Sequence, residues 1–150
     1  MKKLVSILTA VAVAALVFAA FSSARPVAAH FRLTTVLNAG QEIPKQVVKN
    51  QAAHGTFTGT LVGTKLTWKL TFAKLSGPAA AAHIHTGAMG KAGGVAVALC
   101  GPCTNGMTGT ATVSAMLLKT IQKHGTYVNV HTAKNPNGEI RGQLVAKAGM

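Results

Sequence analysis

The sequence predicts an all-β fold: an antiparallel, Greek-key-like β-sandwich or barrel with one short helix. Apolar and polar residues alternate with a period of two from Leu66 to Phe72, as they do in a half-buried strand. Short β-like runs recur along the chain, separated by turn-forming residues, which is typical of antiparallel sandwiches and barrels. From residue 30 onward, only the stretch after Ser114 has the spacing of a helix, and the fold is expected to be preceded by a cleaved signal-peptide helix.

The first residues have the order of a secretory signal peptide. Lys2 and Lys3 precede an apolar stretch from Leu4 to Phe21, and small residues follow it. This order is typical of an apolar helix that is cleaved during export. We predict a signal peptide over residues 1–29 and a mature domain over 30–150, secreted or periplasmic and not membrane-spanning. Cleavage after Ala24, or retention as a membrane anchor, are the alternatives.

The first half of the mature chain is predicted to contain a β-hairpin. Phe57, Gly59 and Leu61 alternate with threonines, and Val62–Lys65 forms a tight turn before the strand at Leu66–Phe72. Further short strands are predicted at Ala82–His85, Val95–Leu99, Thr108–Val113, Thr126–Thr132 and Glu139–Val145. The sequence Asn-Pro-Asn-Gly at 135–138 predicts a turn between the last two.

The single helix is predicted from its capping residues. Ser114 can accept a hydrogen bond from the first turn, and Gly125 can end the helix. Between them, Leu117, Leu118 and Ile121 share one face. A short helix with one apolar face is therefore expected to pack against the sheet.

The mature domain is strongly basic. From residue 30 onward, twelve Lys and Arg residues oppose Glu42 and Glu139, which gives a net charge of +10. Such a protein is drawn to anionic surfaces, so anionic cell-envelope components are the expected partners. Nucleic acid is not expected, because the lysines are scattered and few aromatic residues are present for base stacking.

Acid–base catalysis has little support in this composition. The mature chain has two carboxylates and no Asp that could orient a triad histidine. Glu139 and Arg141 lie two residues apart on one predicted strand face, so an ion pair is the expected fate of this glutamate. We predict no catalytic residue.

Both cysteines lie in the sequence Cys-Gly-Pro-Cys, Cys100 to Cys103. In an exported protein this spacing predicts one local disulfide. The same four residues occur at thioredoxin-type redox sites, where a helix follows the first cysteine. Here a glycine-containing loop follows, which favours the structural disulfide over the redox site.

Three histidines form the candidate metal site. His83 and His85 are two residues apart on a strand, so their rings project from the same face. His131 shares a face with Tyr127 and Asn129 on a later strand, and it can supply a third nitrogen if the two strands are neighbours. Three imidazoles suit copper, or zinc with an open coordination position, and shared coordination needs nitrogens within about 4 Å. The alternative is a polar strand face whose histidines bond to the backbone.

Three stretches resemble the chordin-type (CHRD) domain family: LNAGQEIP at 37–44, AAHIHTGAMGKAGGVAVAL at 81–99 and GTYVNVHTAKNPNGEIRGQL at 125–144. The resemblance implies a secreted or surface-located β-rich domain, and it does not imply a general enzymatic activity. The His-x-His strand is also similar to the copper strand of copper–zinc superoxide dismutase. That similarity implies His83 and His85 as paired copper ligands and His131 as a further ligand. Arg141 is a candidate counterpart of that enzyme's active-site arginine. No counterpart of the enzyme's His-rich, Asp-containing zinc loop is visible in this sequence.

We therefore expect a non-catalytic CHRD binding module of the cell envelope, with a copper site at His83, His85 and His131. A copper-dependent, superoxide dismutase-like oxidoreductase is one alternative. A purely structural, partner-binding module in which the histidines only pack is the other.

Overall fold

The computed structural model describes residues 30–149, so the predicted signal peptide lies outside the described residues. Within residues 30–149, one α-helix, α1, spans Ala115–Gln122, and a single 3-10 turn spans Ala39–Gln41. The same residues form nine strands, numbered in chain order: β1 His30–Asn38, β2 His54–Val62, β3 Lys65–Ala73, β4 Ala79–Thr86, β5 Val95–Cys100, β6 Thr108–Thr112, β7 Thr126–Thr132, β8 Ile140–Gln143 and β9 Val145–Ala148.

The strands form one antiparallel sheet in the order β5-β4-β7-β8-β1-β2-β3-β6, and β9 also pairs with β1. The sheet curls around a single core until it is nearly closed. Several neighbours are distant in sequence, including β4 beside β7 and β3 beside β6, as expected of Greek-key-like connections. The predicted all-β fold class is confirmed.

The core is built by strict alternation along the strands. In β2, every second residue from Gly55 to Leu61 is buried, and the intervening threonines are exposed. Opposed core residues pair across the hairpin, with Phe57 facing Leu70 and Leu61 facing Leu66, all four 0% exposed. The period-two pattern in the sequence therefore separates an apolar interior from a polar exterior.

Helix α1 has the predicted boundaries. The Ser114 hydroxyl accepts a hydrogen bond from the amide of Leu117 at 3.1 Å, and the amide of Gly125 donates to the carbonyl of Thr120 at 2.9 Å. Ile121 is fully buried and fixes the helix against the core. No helix within residues 30–149 is long and apolar enough to cross a membrane.

The predicted final strand at 139–145 is divided in two by Leu144. This side chain is 0% exposed, and its amide donates to the carbonyl of Thr126 at 2.9 Å. Before it, β8 pairs with β7, and after it, β9 pairs with β1. The sequence pattern did not show the break, because Leu144 continues the apolar alternation and its amide still bonds to β7, whereas Val145 already pairs with β1.

Strands β4 and β7 are direct neighbours, which positions the candidate site. His83 lies opposite Asn129, His85 opposite Tyr127, and Ala81 opposite His131. Directly opposed residues share a face, so these side chains project together on the side away from the apolar core. The intervening Ile84 points into that core and is 0% exposed.

Candidate metal centre

His83, His85 and His131 converge at one point on the outer face of β4 and β7. One ligand-capable nitrogen from each ring lies within 4.8 Å of the other two. The ring centroids of His83 and His131 are 5.0 Å apart, and those of His83 and His85 are 5.5 Å apart. His85 is buried, whereas the other two rings are partly exposed. The predicted histidines therefore lie together, with access from solvent on one side.

Two of the three rings are oriented by backbone carbonyl groups. Nδ1 of His85 bonds to the carbonyl of Gly93 at 3.1 Å, and Nδ1 of His131 bonds to the carbonyl of Pro136 at 3.0 Å. A carbonyl oxygen only accepts, so each Nδ1 carries the proton and each neutral ring presents an unprotonated Nε2. Carbonyl groups commonly orient metal-ligating histidines in this way.

His83 is the third and least restrained ring. Its Nδ1 lies 3.2 Å from Nε2 of His131. Because Nε2 of His131 is unprotonated, His83 is the donor in this hydrogen bond. A metal ion between these atoms would replace that proton, and His83 can then carry its proton on Nε2 instead.

The three nitrogens are somewhat farther apart than a shared metal requires. Two metal–nitrogen bonds of about 2 Å each can span at most about 4 Å, and the widest separation here reaches 4.8 Å. Metal binding therefore needs a small contraction. The ring centroids of His85 and His131 are the farthest apart, at 5.6 Å, so the contraction includes an approach of these two carbonyl-oriented rings as well as rotation of His83.

A glycine-rich loop between β4 and β5 carries the carbonyl that orients His85. The amide of Thr86 donates to the carbonyl of Gly94 at 3.0 Å, which folds the loop back on β4. A Cβ atom at Gly93 would overlap the carbonyl oxygen of Thr86, so this close approach requires glycine. The sequence showed a glycine-rich connection but not which histidine it would contact.

The turn between β7 and β8 carries the carbonyl that orients His131, and Glu139 fixes this turn. The Glu139 carboxylate accepts hydrogen bonds from the hydroxyls of Ser76 at 2.7 Å and Thr132 at 2.6 Å, and from the Asn50 amide at 2.8 Å. Burial by itself would raise the pKa of Glu139, but the hydrogen bonds together outweigh it and lower the pKa below its usual value. The expected Glu139–Arg141 ion pair does not form, because these donors occupy the carboxylate.

Arg141 instead packs its guanidinium group against the aromatic ring of Tyr127. Its Cζ lies 3.4 Å from the centroid of the Tyr127 ring, and the other face of Tyr127 is occupied by His85. Nη2 of Arg141 donates to the carbonyl of Lys91 at 2.8 Å. Tyr127 therefore lies between this guanidinium and the ring of His85.

The surroundings favour neutral imidazole rings. Burial lowers the pKa of His83, His85 and His131 below the usual 6.5, and that of His131 to about 4. Charge on neighbouring histidines lowers the pKa of His85 and His131 further, against their backbone hydrogen bonds. Neutral imidazole is the metal-binding form, so the rings are ready to bind a cation near neutral pH.

Beside the stack lies a buried acid that the sequence did not reveal. Glu42 is 0% exposed, and burial raises its pKa to about 8, against the lowering effects of Asn129 and Arg141. The Asn129 side-chain amide donates to Oε2 of Glu42 at 3.3 Å. Within the described chain, Oε1 of Glu42, Oδ1 of Asn129 and Nη1 of Arg141 have no hydrogen-bond partner.

Cys100 and Cys103 are joined by a disulfide, with their Cα atoms 5.3 Å apart. The amide of Cys103 donates to the carbonyl of Ala79 at 3.0 Å, and Cys100 lies opposite Ala82. The disulfide therefore holds the end of β5 against the beginning of β4, the strand that carries His83 and His85.

Comparison with known proteins gives one match. Neither a search of curated proteins nor a search of solved structures found a significant match. A model of the CHRD domain matches residues 33–144, which include all three clustered histidines and the glycine-rich loop. The match covers most of the chain and nearly all of the sheet, so the chain belongs to the CHRD domain family.

Proposed function

We propose that this CHRD domain is a binding module that holds a copper ion through His83, His85 and His131. The observation that carries the proposal is the convergence of three imidazole nitrogens within 4.8 Å. Nε2 of His85 supports it further, because this buried atom has no partner among the described residues and its ring is already oriented by Gly93. A buried polar atom without a partner is costly, and a metal ion would satisfy it.

Copper is proposed over other ions because of the donor set. The cluster offers imidazole nitrogen alone, and among divalent first-row ions such sites bind copper most tightly. Magnesium and calcium prefer oxygen ligands. Zinc with an open coordination position is the competing ion, and the titration below separates the two.

We place this module outside the cytoplasm. The disulfide between Cys100 and Cys103 is typical of proteins from oxidising compartments. The sequence of residues 1–29 independently predicts an export signal. Secreted or periplasmic location therefore fits both observations.

The test is a titration of the purified protein with copper and with zinc, each against a competing chelator. Replacement of His83, His85 and His131 by Ala should abolish high-affinity copper binding. The matched control replaces His54 and His124, which are exposed and lie outside the cluster, and should leave the affinity unchanged. Unchanged copper affinity in the triple variant would exclude this site and leave a structural, partner-binding role for the histidines.

A redox role is the second candidate. His83 and His131 are partly exposed, so a bound copper ion would remain accessible to a small molecule. The exposed charge of the domain is positive, which would raise the local concentration of an anion such as superoxide. Copper-loaded protein should then accelerate superoxide loss above the rate with the triple histidine variant. Equal rates would end this alternative and leave the binding module intact.

A further inference from the structure

All exposed charged side chains of Lys, Arg, Asp and Glu within residues 30–149 are positive. All Lys and Arg residues in this range are exposed except Arg141, which is 2% exposed. Both acidic side chains, Glu42 and Glu139, are 0% exposed. A surface of one sign attracts anionic ligands over long distances. Net charge alone does not define a binding site, so a local arrangement is needed as well.

Such an arrangement lies on the outward face of β1, β2, β3 and β6. The alternation that buries Phe57 and Trp68 directs polar side chains to the opposite face. Around an open concavity of about 260 Å³ lie six exposed side chains, here called the threonine patch: Arg32, Thr58, Thr60, Thr67, Lys69 and Thr108.

The strand register orders the threonine patch into two rows. In one row, Arg32 lies opposite Thr60, which lies opposite Thr67. In the other row, Lys69 lies between Thr58 and Thr108. Neighbours within a row are about 5 Å apart, and the rows are about 7 Å apart. Each row therefore presents one cation and two hydroxyl groups to a ligand on the sheet.

We propose that the threonine patch binds a linear acidic polysaccharide that carries carboxylate groups. Arg32 and Lys69 would pair with two carboxylates through charge-assisted hydrogen bonds. The threonine hydroxyls both donate and accept, which matches the hydroxyl groups of sugar rings. The threonine side chains are short, β-branched and fixed on a sheet, so little conformational entropy is lost when they bind a ligand.

Other polyanions fit the threonine patch less well. Single-stranded nucleic acid is bound through aromatic platforms, but Phe57 and Trp68 on these strands are 0% and 4% exposed and face the core. Binding to a lipid surface increases with the apolar area inserted into it. The six side chains of the patch are all polar or charged, and the exposed Val36 and Val62 on the same face lie outside it.

The proposal is independent of the metal site, and it is tested with immobilised polygalacturonate at low and moderate salt. The patch variant carries Arg32→Gln with Lys69→Gln. The charge-matched control carries Lys119→Gln with Lys134→Gln, which lie on α1 and in the turn after β7. A third variant, Thr58→Val with Thr60→Val, removes hydroxyl groups without changing the charge. Each variant is checked for an unchanged circular dichroism spectrum and melting temperature.

We expect the patch variant to lose about tenfold or more in affinity, the control about twofold or less, and the valine variant several-fold. Binding to neutral dextran should be at least tenfold weaker. Equal losses in the patch and control variants would show attraction by net charge alone and overturn the proposal. Preferential binding to anionic phospholipid vesicles that is lost in the patch variant would overturn it in favour of a lipid surface.

Discussion

The imidazole ring of His85 lies parallel to the phenol ring of Tyr127, with 5.0 Å between the ring centroids and 8° between the ring planes. The two rings also bond to the same residue, because the Gly93 carbonyl accepts from Nδ1 of His85 and from the Tyr127 hydroxyl. Arg141 covers the opposite face of the tyrosine ring. Tyr127 therefore restrains both the tilt of His85 and the loop residue that fixes its proton.

The first prediction concerns this stack. Tyr127→Leu removes both the flat contact and the hydroxyl group, whereas Tyr127→Phe removes only the hydroxyl group. Loss of groups that orient a metal ligand commonly costs about 10–100-fold in metal affinity. We expect the leucine variant to weaken copper binding by at least about tenfold and the phenylalanine variant by less. Competition titration measures both, and wild-type affinity in the folded leucine variant would show that Tyr127 does not position His85.

The second prediction concerns the pH dependence of stability. Burial raises the pKa of Glu42 to about 8, so the folded state binds this proton more tightly than the unfolded state does. The stabilisation is fully present below about pH 4.5 and is lost as the pH rises through about 8. Glu42→Gln mimics the protonated acid at every pH. The variant should match the wild type near pH 5 and exceed it near pH 9 by on the order of 2–4 kcal/mol.

The wild type must be compared with Glu42→Gln because His131 changes the free energy of unfolding with pH in the opposite direction. Its lowered pKa makes stability fall as the pH drops from 6.5 toward about 4, and both proteins share that loss. The difference in unfolding free energy, measured by denaturant titration at several pH values, isolates Glu42. A difference that does not change between pH 5 and pH 9 would mean that Glu42 has an ordinary pKa.

The third prediction concerns Gly138, which precedes β8 and has a φ of +135°. A Cβ atom here would overlap the side chains of Asn129 and Glu42, in addition to the backbone strain. We expect Gly138→Ala to lower the free energy of unfolding by at least about 2 kcal/mol. Gly106→Ala is the matched control, because Gly106 also has a positive φ, +82°, but a Cβ there has no neighbour within 4 Å, and it should cost about 1 kcal/mol. Similar losses in both variants would contradict the proposed close contact.

The architecture followed from local patterns that extend over many residues. Alternation in β2 and β3 predicted both strands and their buried faces, and the polar cap and following glycine predicted α1. The grouping of His83 with His85 followed from the same period of two. The approach of His131 needed a further assumption, that β4 and β7 are neighbours, which no local pattern encodes.

The environment of the site could not be predicted because its contacts join distant segments. The carbonyls of Gly93 and Pro136 orient two rings, but the pattern of side chains in the sequence does not predict which backbone carbonyl a ring will contact. Glu139 was expected to pair with Arg141, its near neighbour on the strand. Its donors come instead from Asn50 and Ser76, in segments that the sheet brings together.

The last prediction concerns where the protons lie on the three rings. In the metal-free protein near neutral pH, His85 and His131 should each be neutral with the proton on Nδ1, because backbone carbonyls accept from those atoms. His83 should also carry its proton on Nδ1, as the donor to His131. One equivalent of zinc, a diamagnetic substitute for copper, should move the His83 proton to Nε2 and leave the proton positions on His85 and His131 unchanged. Long-range nitrogen–proton correlation spectra report these tautomers directly, with the exposed His124 as the internal reference. A proton on Nε2 of His85 in the metal-free protein would contradict the arrangement, because that nitrogen would then have no lone pair for a metal ion and the centre would lose its most buried ligand.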